Sequence, residues 1–315
     1  MVGRLYMFLS ILKMVLPVLI MFLLGWLCAR KRIFDPQGLT GIKNLVGQVL
    51  LVAVLFNAFF TAEYSGRLAL TLAVVFLSSA LGLGVGFLLR RLVKPCGRFL
   101  PFLVTNFEGG MMGYALFGLL YPGQTHVFAM VDIGQTLAAF TVFLTVLQAV
   151  SAGRADPKSL AKIAFSNPVL IGVLLGILLG VTGVGKWVQS IPAGQIVAET
   201  MAFVSAPVSG LILIIVGYEL RFRKELLGPV LKTVGLRLLV MAALLGLDYL
   251  VIFSIIPFDK QLFIALMLAW SLPAPFIIPL YADLGQDSEY ISTSLSAQTV
   301  ASILLFIGVA AYSLA

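Results

Sequence analysis

Residues 102–123 read FLVTNFEGGMMGYALFGLLYPG, an apolar stretch long enough to cross a membrane. It nevertheless contains an acid, Glu108, and two adjacent glycines, Gly109 and Gly110. Glycine destabilises a helix interior, and an ionisable side chain inside a membrane span marks a functional site by default. The stretch therefore predicts a helix that is interrupted near the middle of the bilayer, with Glu108 at the interruption.

The composition places this stretch in a membrane protein with several spans. The 315 residues are 61% hydrophobic and 11% charged, whereas a soluble domain has roughly 25% charged residues. The first apolar run, residues 8–28, is too long for a cleavable signal peptide and predicts a retained span.

Several functional classes are disfavoured by the same composition. One histidine and two cysteines give a metal site or a disulfide little to build on. The sequence has neither a phosphate-binding loop nor a catalytic constellation, so we expect no enzyme and no cofactor. The net charge of +8 comes from basic residues in short loops between apolar runs, which argues against a nucleic-acid partner.

At about 20 apolar residues per crossing, the sequence predicts ten helices. Their approximate spans are 8–28, 40–61, 67–91, 100–120, 127–150, 166–185, 196–219, 230–255, 262–282 and 290–313. The loops after spans 1, 3, 5 and 7 contain most of the loop arginines and lysines, and such loops are cytoplasmic. This predicts a protein of the cytoplasmic membrane with both termini outside. The basic residues are Arg30, Lys31, Arg32, Arg90, Arg91, Lys94, Arg98, Arg154, Lys158, Lys162, Arg221, Arg223 and Lys224.

A repeat divides the chain into two halves, residues 1–155 and 156–315. Spans 5 and 10 read GQTLAAFTVFL and AQTVASILLFI, in which Gln135 and Gln298 correspond at an offset of 163 residues. Each half contains five spans, and because five is odd the second half is expected to be inverted in the membrane. Inverted repeats are typical of secondary transporters that alternate access around a site at the midplane.

The offset also places a second interruption opposite the first. Glu108 corresponds to Ser271 and Gly110 to Pro273, within AWSLPAPFIIPLY at residues 269–281. Proline removes a backbone donor and clashes with the preceding turn, so span 9 is predicted to be broken as well. Small residues also let membrane helices pack closely, but paired interruptions at one repeat position favour a transport site.

Four segments make the chain similar to a known family. EGGMMGYALF (108–117) resembles a fourth-span pattern Asn-x-x-x-x-Gly-x-Pro-Leu, and NPVLIGVLLGILLGVTGV (167–184) resembles a sixth span. VSAPVSGLILIIVGYEL (204–220) resembles a seventh span, and SLPAPFIIPLYADLGQDSEYISTSLSAQTVAS (271–302) resembles a ninth span with the entry to the tenth. Together they resemble the auxin efflux carrier family, within the superfamily of bile acid symporters.

The resemblance implies an all-α fold of ten helices in two inverted five-helix repeats, with spans 4 and 9 crossing as broken helices. Spans 1, 2, 6 and 7 would form a scaffold that often dimerises, so we expect a homodimer. Spans 3–5 and 8–10 would form a transport domain that moves like an elevator. Family members carry small organic anions such as auxin, malate or malonate.

Two positions depart from the family pattern. When Gly113 is aligned with the family glycine, Glu108 stands where the pattern has the substrate-binding asparagine, and Ala115 stands where it has proline. An alternative register makes Asn106 the equivalent asparagine. An acid at this position changes the charge of the site, so the substrate class of the family does not transfer directly.

The candidate site residues cluster at the two interruptions. Burial favours the neutral form of a carboxyl group, which suits proton coupling through Glu108, with Asp132 as a second candidate; a structural role for Glu108 in holding the freed backbone amides stays open. The resemblance adds Gln135, whose family counterpart lies near the substrate. The predicted substrate-binding residues are Glu108, Asn106, Gly109, Gly110, Met112, Gln135, Ser271, Pro273, Ala274, Pro275 and Gln298.

We therefore expect a secondary transporter of small organic anions in the lipid bilayer, with a proton or sodium as possible coupling ion. Three alternatives remain: a carrier of neutral or cationic substrates with Glu108 as charge selector, a metabolite sensor on a transporter fold, and a channel.

Overall fold

The computed structural model describes residues 2–62, 65–94, 96–152, 168–220, 223–282 and 284–314. Within these residues the chain is helical and contains no strand, which confirms the predicted all-α class. Four of the basic loop residues used for the orientation lie outside the described residues. They are Arg154, Lys158, Lys162 and Arg221.

The described residues up to Ala152 form eight α-helices and three π-helical turns. The turns are Val46–Leu50 between α2 and α3, Gly109–Gly113 before α6, and Ala139–Phe143 between α7 and α8. The helices are α1 (Val2–Lys31), α2 (Pro36–Leu45), α3 (Leu51–Phe60), α4 (Gly66–Leu89), α5 (Leu100–Leu103), α6 (Tyr114–Leu120), α7 (Thr125–Ala138) and α8 (Leu144–Ala152).

The described residues from Pro168 onward form eight more helices. They are α9 (Pro168–Val181), α10 (Val184–Ser190), α11 (Pro192–Ser205), α12 (Val208–Tyr218), α13 (Leu227–Ile255), α14 (Lys260–Ser271), α15 (Ile278–Tyr281) and α16 (Ser288–Leu314). The longest of these eight, α13, has 29 residues. It is therefore about 43 Å long at 1.5 Å per residue, which exceeds the thickness of a bilayer core.

Six helical stretches of the described residues are long and apolar enough to cross a membrane. A seventh is obtained if α9 and α10, which meet at 73°, form one bent span. The chain is thus a multi-pass membrane protein, whereas the count of ten spans and the inverted repeat stay predictions. The six stretches are Gln37–Phe60, Gly66–Val93, Thr125–Ser151, Pro192–Tyr218, Lys224–Ile255 and Gly285–Leu314.

Two predicted spans are interrupted where the glycine and proline patterns lie. Residues 104–108 between α5 and the Gly109–Gly113 turn are not helical, and we call them the first break. Residues 272–277 between α14 and α15 are likewise not helical and form the second break. Asn106 in the first break has a left-handed backbone with φ of 51°, a conformation that asparagine tolerates better than most residues.

Glycines allow the closest helix contacts. α1 packs along α12, and a Cβ atom added at Gly25 would lie 2.1 Å from the carbonyl oxygen of Ile214. On the partner helix, a Cβ atom added at Gly217 would lie 2.0 Å from the carbonyl oxygen of Phe22. Both helices therefore approach backbone to backbone, as small residues permit in membranes.

We predict that Gly217→Ala destabilises the protein by about 1–3 kcal/mol, because the added methyl group meets a backbone atom that cannot move aside. Gly246→Ala is the control, since a Cβ atom there would have no neighbour within 4 Å and alanine favours the helix by up to about 1 kcal/mol. Thermal unfolding in detergent measures both variants. Equal melting temperatures for the two would contradict the close α1–α12 contact.

Candidate functional site

The two breaks are hydrogen-bonded to each other through Glu108. Its backbone N–H donates to the carbonyl oxygen of Pro273 at 2.9 Å. Its carboxylate Oε2 accepts from the backbone N–H of Phe276 at 2.6 Å. Glu108 is buried, with 8% of its surface exposed. One buried acidic residue therefore forms hydrogen bonds with a carbonyl group and with an N–H group of the second break.

Arg237 on α13 binds carbonyl groups of both breaks. Its guanidinium donates to the carbonyl of Leu272 at 2.7 Å through Nη2 and at 3.2 Å through Nε. The Nη2 atom also donates to Asn106 O at 2.7 Å, and Nη1 donates to Leu103 O at 3.1 Å and Thr105 O at 3.3 Å. Arg237 thereby satisfies backbone acceptors that the missing helical turns leave free.

The two repeat-related glutamines also bind backbone groups at the breaks. Gln135 on α7 donates to Phe107 O at 2.8 Å. Gln298 on α16 donates to Leu103 O at 3.0 Å and accepts from the N–H of Ala274 at 2.9 Å. Both glutamines therefore make the contacts that intramembrane amides commonly form across helices.

Asp132 on α7 lies directly against the first break. A Cβ atom added at Gly109 would lie 1.9 Å from Asp132 Oδ1, so only glycine fits there without moving the carboxylate. Asp132 Oδ2 accepts from Thr136 at 3.4 Å, and its carboxylate interacts electrostatically with Tyr114 and with Glu108. Two buried carboxylates therefore lie near one another beside Gly109.

The predicted site residues Met112 and Ser271 lie beside the two breaks. Met112 is fully buried in the hydrophobic core, and Ser271 donates to the carbonyl of Leu268 on its own helix at 2.7 Å.

The predicted site residues Pro275, Gly110 and Asn106 lie in or next to the two breaks. The carbonyl of Pro275 accepts from the N–H of Ile278 at 3.3 Å. A Cβ atom added at Gly110 would be 3.7 Å from Leu51 and 3.9 Å from Glu108 Oε1, which is ordinary contact. Asn106 Nδ2 is buried and has no hydrogen-bond partner among the described residues.

Asp248 on α13 pairs with neighbours other than Arg237. Its Oδ2 accepts from the indole N–H of Trp270 at 2.8 Å, and its Oδ1 is bonded to the hydroxyl of Ser78 on α4. Asp248 therefore ties α4 and the end of α14 to α13.

A cavity of about 240 Å³ lies beside the second break. Leu39 and Lys43 of α2 and the segment from Val216 to Leu220 line one side. Phe276 and Pro279 of the second break region and the start of α16 line the other, where the α16 residues are Ser292, Leu295, Ser296 and Thr299. Because Phe276 donates its N–H to Glu108, the carboxylate lies behind the wall of this cavity.

An ion pair between Lys43 and Glu219 lies at the cavity, with 2.7 Å between Lys43 Nζ and Glu219 Oε1. Sequence reasoning missed Lys43, although a lysine within a predicted apolar span was a usable signal. The pairing of Lys43 with Glu219 has no signature in the sequence, because 176 positions separate the two residues.

We predict that Gly109→Ala lowers the free energy of unfolding by about 1–3 kcal/mol, because the methyl group overlaps the buried carboxylate of Asp132. Gly110→Ala is the matched neighbour, since its methyl group makes only ordinary contacts, and we expect no loss. Thermal unfolding of the purified proteins measures both. A larger loss for Gly110→Ala than for Gly109→Ala would contradict the observed packing.

Comparisons with known proteins agree with this picture. Residues 10–158 match a family described as membrane transport proteins. The chain is also 26% identical over 302 residues to a protein of Methanothermobacter thermautotrophicus (strain Delta H) named an uncharacterized transporter, with 92% of this chain and 96% of that protein covered. These matches agree with the resemblance drawn from the sequence: residues 10–158 are similar to membrane transport proteins, and most of the chain is similar to a transporter.

Proposed function

We propose that this protein is a secondary transporter of small organic anions across the cytoplasmic membrane, working by an elevator motion. The observation that carries the proposal is the cavity beside the second break, with Glu108 behind its wall at Phe276. Substrate sites of secondary transporters lie where interrupted helices expose backbone groups. A cavity of this size accommodates a small metabolite and is smaller than a typical drug pocket.

Helix packing supports the division into a scaffold and a transport domain. α1 packs along α12 and α3 along α9, which brings together predicted spans 1 with 7 and 2 with 6. α4 packs on α7, and α13 on α16, which correspond to spans 3 with 5 and 8 with 10. Under the offset of 163 residues, the contact between spans 1 and 7 corresponds to the contact between spans 6 and 2. The contact between spans 3 and 5 likewise corresponds to the contact between spans 8 and 10, as an inverted repeat requires. A homodimer through the scaffold is part of the proposal by family resemblance.

The cavity lies between these two groups of helices. α2 and α12 contribute one wall, and the second break and α16 contribute the other. A substrate bound there would be carried when one group slides against the other. Tyr218, which lines the cavity, donates its hydroxyl to the carbonyl of Phe34, just after the basic residues Arg30, Lys31 and Arg32. In the proposed orientation, with both termini outside, this places the cavity on the cytoplasmic side.

Lys43 is the proposed attractor for an anionic substrate. The hydroxyls of Ser292, Ser296 and Thr299 donate to carbonyls of their own helix, so they present acceptors and do not supply donors to an anion. The ammonium group of Lys43 has three donors, of which Glu219 takes one. A substrate carboxylate would share or replace Glu219 at this ammonium group.

Glu108 is the proposed proton-coupling residue. While ionised it accepts the N–H of Phe276 and repels an approaching anion. Protonation removes the repulsion and weakens the hold on that N–H, since hydrogen bonds to a charged acceptor are the stronger ones. The freed backbone donor can then bind the substrate carboxylate, so that proton and anion move together.

We predict that Glu108→Gln abolishes the pH dependence of uptake. Wild-type uptake of an organic acid into proteoliposomes should rise as the outside pH falls, because the protonated form of Glu108 is the proposed competent one. Glutamine keeps a neutral acceptor for Phe276 and should give a flat profile. An unchanged pH dependence in Glu108→Gln would rule out the coupling role.

We predict opposite effects for the two members of the ion pair. Lys43→Gln should raise the KM for an organic anion about tenfold, the equivalent of about 1.4 kcal/mol, whereas Glu219→Gln should lower it. Both side chains are partly exposed, so each change should cost little stability. Uptake kinetics in proteoliposomes measure the KM values; equal effects in both variants would contradict anion binding at Lys43.

A carrier of cationic or neutral substrates is the second candidate, favoured by the carboxylates of Glu108, Asp132 and Glu219 near the breaks and the cavity. A thermal-shift screen of the purified protein against organic acids and amines at several pH values separates the two. Stabilisation by amines alone would replace the anion proposal. Ligand binding without flux in proteoliposomes would instead favour the sensor.

A further inference from the structure

The guanidinium of Arg237 occupies a position that is lined by backbone oxygens of two different segments. It is bound by Leu103, Thr105 and Asn106 in and beside the first break and by Leu272 in the second. Arg237 is only 3% exposed, so its charge is shielded from bulk solvent.

Carbonyl dipoles compensate this charge in place of a carboxylate. Among the described residues Arg237 forms no ion pair, and Asp248 on the same helix is bonded to Ser78 and Trp270. Leu103 is the last residue of α5, and Leu272 caps the C-terminus of α14. Carbonyls at helix C-terminal ends carry partial negative charge, which stabilises a cation placed between them.

A set of converging backbone carbonyls is also what a bound monovalent metal ion requires. Such oxygens replace the hydration shell of the ion, and unwound segments of transporter helices coordinate sodium in this way. An arginine guanidinium carries the same charge and presents five donors in a fixed planar fork. It can therefore occupy such a set of oxygens permanently, because it is attached to α13.

We propose that Arg237 is a built-in cation that occupies a metal-cation site between the two breaks and excludes sodium from it. One consequence of this inference is that no sodium ion is coupled to transport at the breaks. Only this consequence rests on the proposed transport function. A small cavity of about 10 Å³ adjoins the guanidinium and is lined also by Ser271, Gln298 and Ser302. It has room for about one water molecule, so a shorter side chain at position 237 would leave space for an ion with a water ligand.

The test compares Arg237→Ala with Arg237→Lys and the wild type. Melting temperatures of the purified proteins are measured in sodium, potassium and choline chloride at equal concentration, and equilibrium binding of radioactive sodium is measured in parallel. We expect the wild type and Arg237→Lys to melt at the same temperature in all three salts and to bind no sodium. Arg237→Ala should melt lower in choline and recover by roughly 5 °C in sodium, because a bound ligand stabilises the folded state.

Each outcome decides the proposal. Sodium binding or sodium-specific stabilisation of the wild type would overturn it, as would a folded Arg237→Ala protein that does not distinguish sodium from choline. If Arg237→Ala does not fold, Arg237→Gln, which keeps part of the donor set without the charge, takes its place under the same criteria. None of these measurements depends on transport, so a protein that carried no anion would still return a clear result here.

Discussion

Backbone groups freed by a break inside a membrane have no water to bind, and each unsatisfied one costs several kcal/mol. Both breaks of this protein meet that constraint with the same few side chains. Arg237 and the two glutamines supply donors to the carbonyls, and Gln298 and Glu108 supply acceptors to the N–H groups. The arrangement of these hydrogen bonds has two consequences for the site.

One consequence is that the breaks depend on each other. Arg237 and Gln298 each bind both segments, and Glu108 belongs to one segment and binds the other. Any motion that separates the breaks would expose several buried polar groups at once, which is unfavourable. They are therefore suited to move as one body together with α13 and α16, as the proposed elevator motion requires.

A second consequence concerns charge. The arginine is neutralised by dipoles, whereas the acids Glu108 and Asp132 lie close enough to interact. Since the arginine is fully used by carbonyl groups, it does not offset these acids as an ion-pair partner. Glu108 thus combines the structural role of binding the N–H of Phe276 with a position behind the cavity wall, and the structural and functional interpretations of this residue are compatible.

The sequence by itself determined the helical membrane class and the places of the two breaks, and it singled out Glu108 as a candidate site residue. These follow from local chemistry: apolar runs need a bilayer, adjacent glycines and closely spaced prolines interrupt helices, and a buried acid is costly. Only the tertiary structure decided what each polar group binds. Arg237 lies 131 positions from Asn106 in the first break, Lys43 lies 176 positions from Glu219, and Glu108 lies 168 positions from Phe276. No local pattern encodes such pairings, because they depend on how distant helices are placed beside one another.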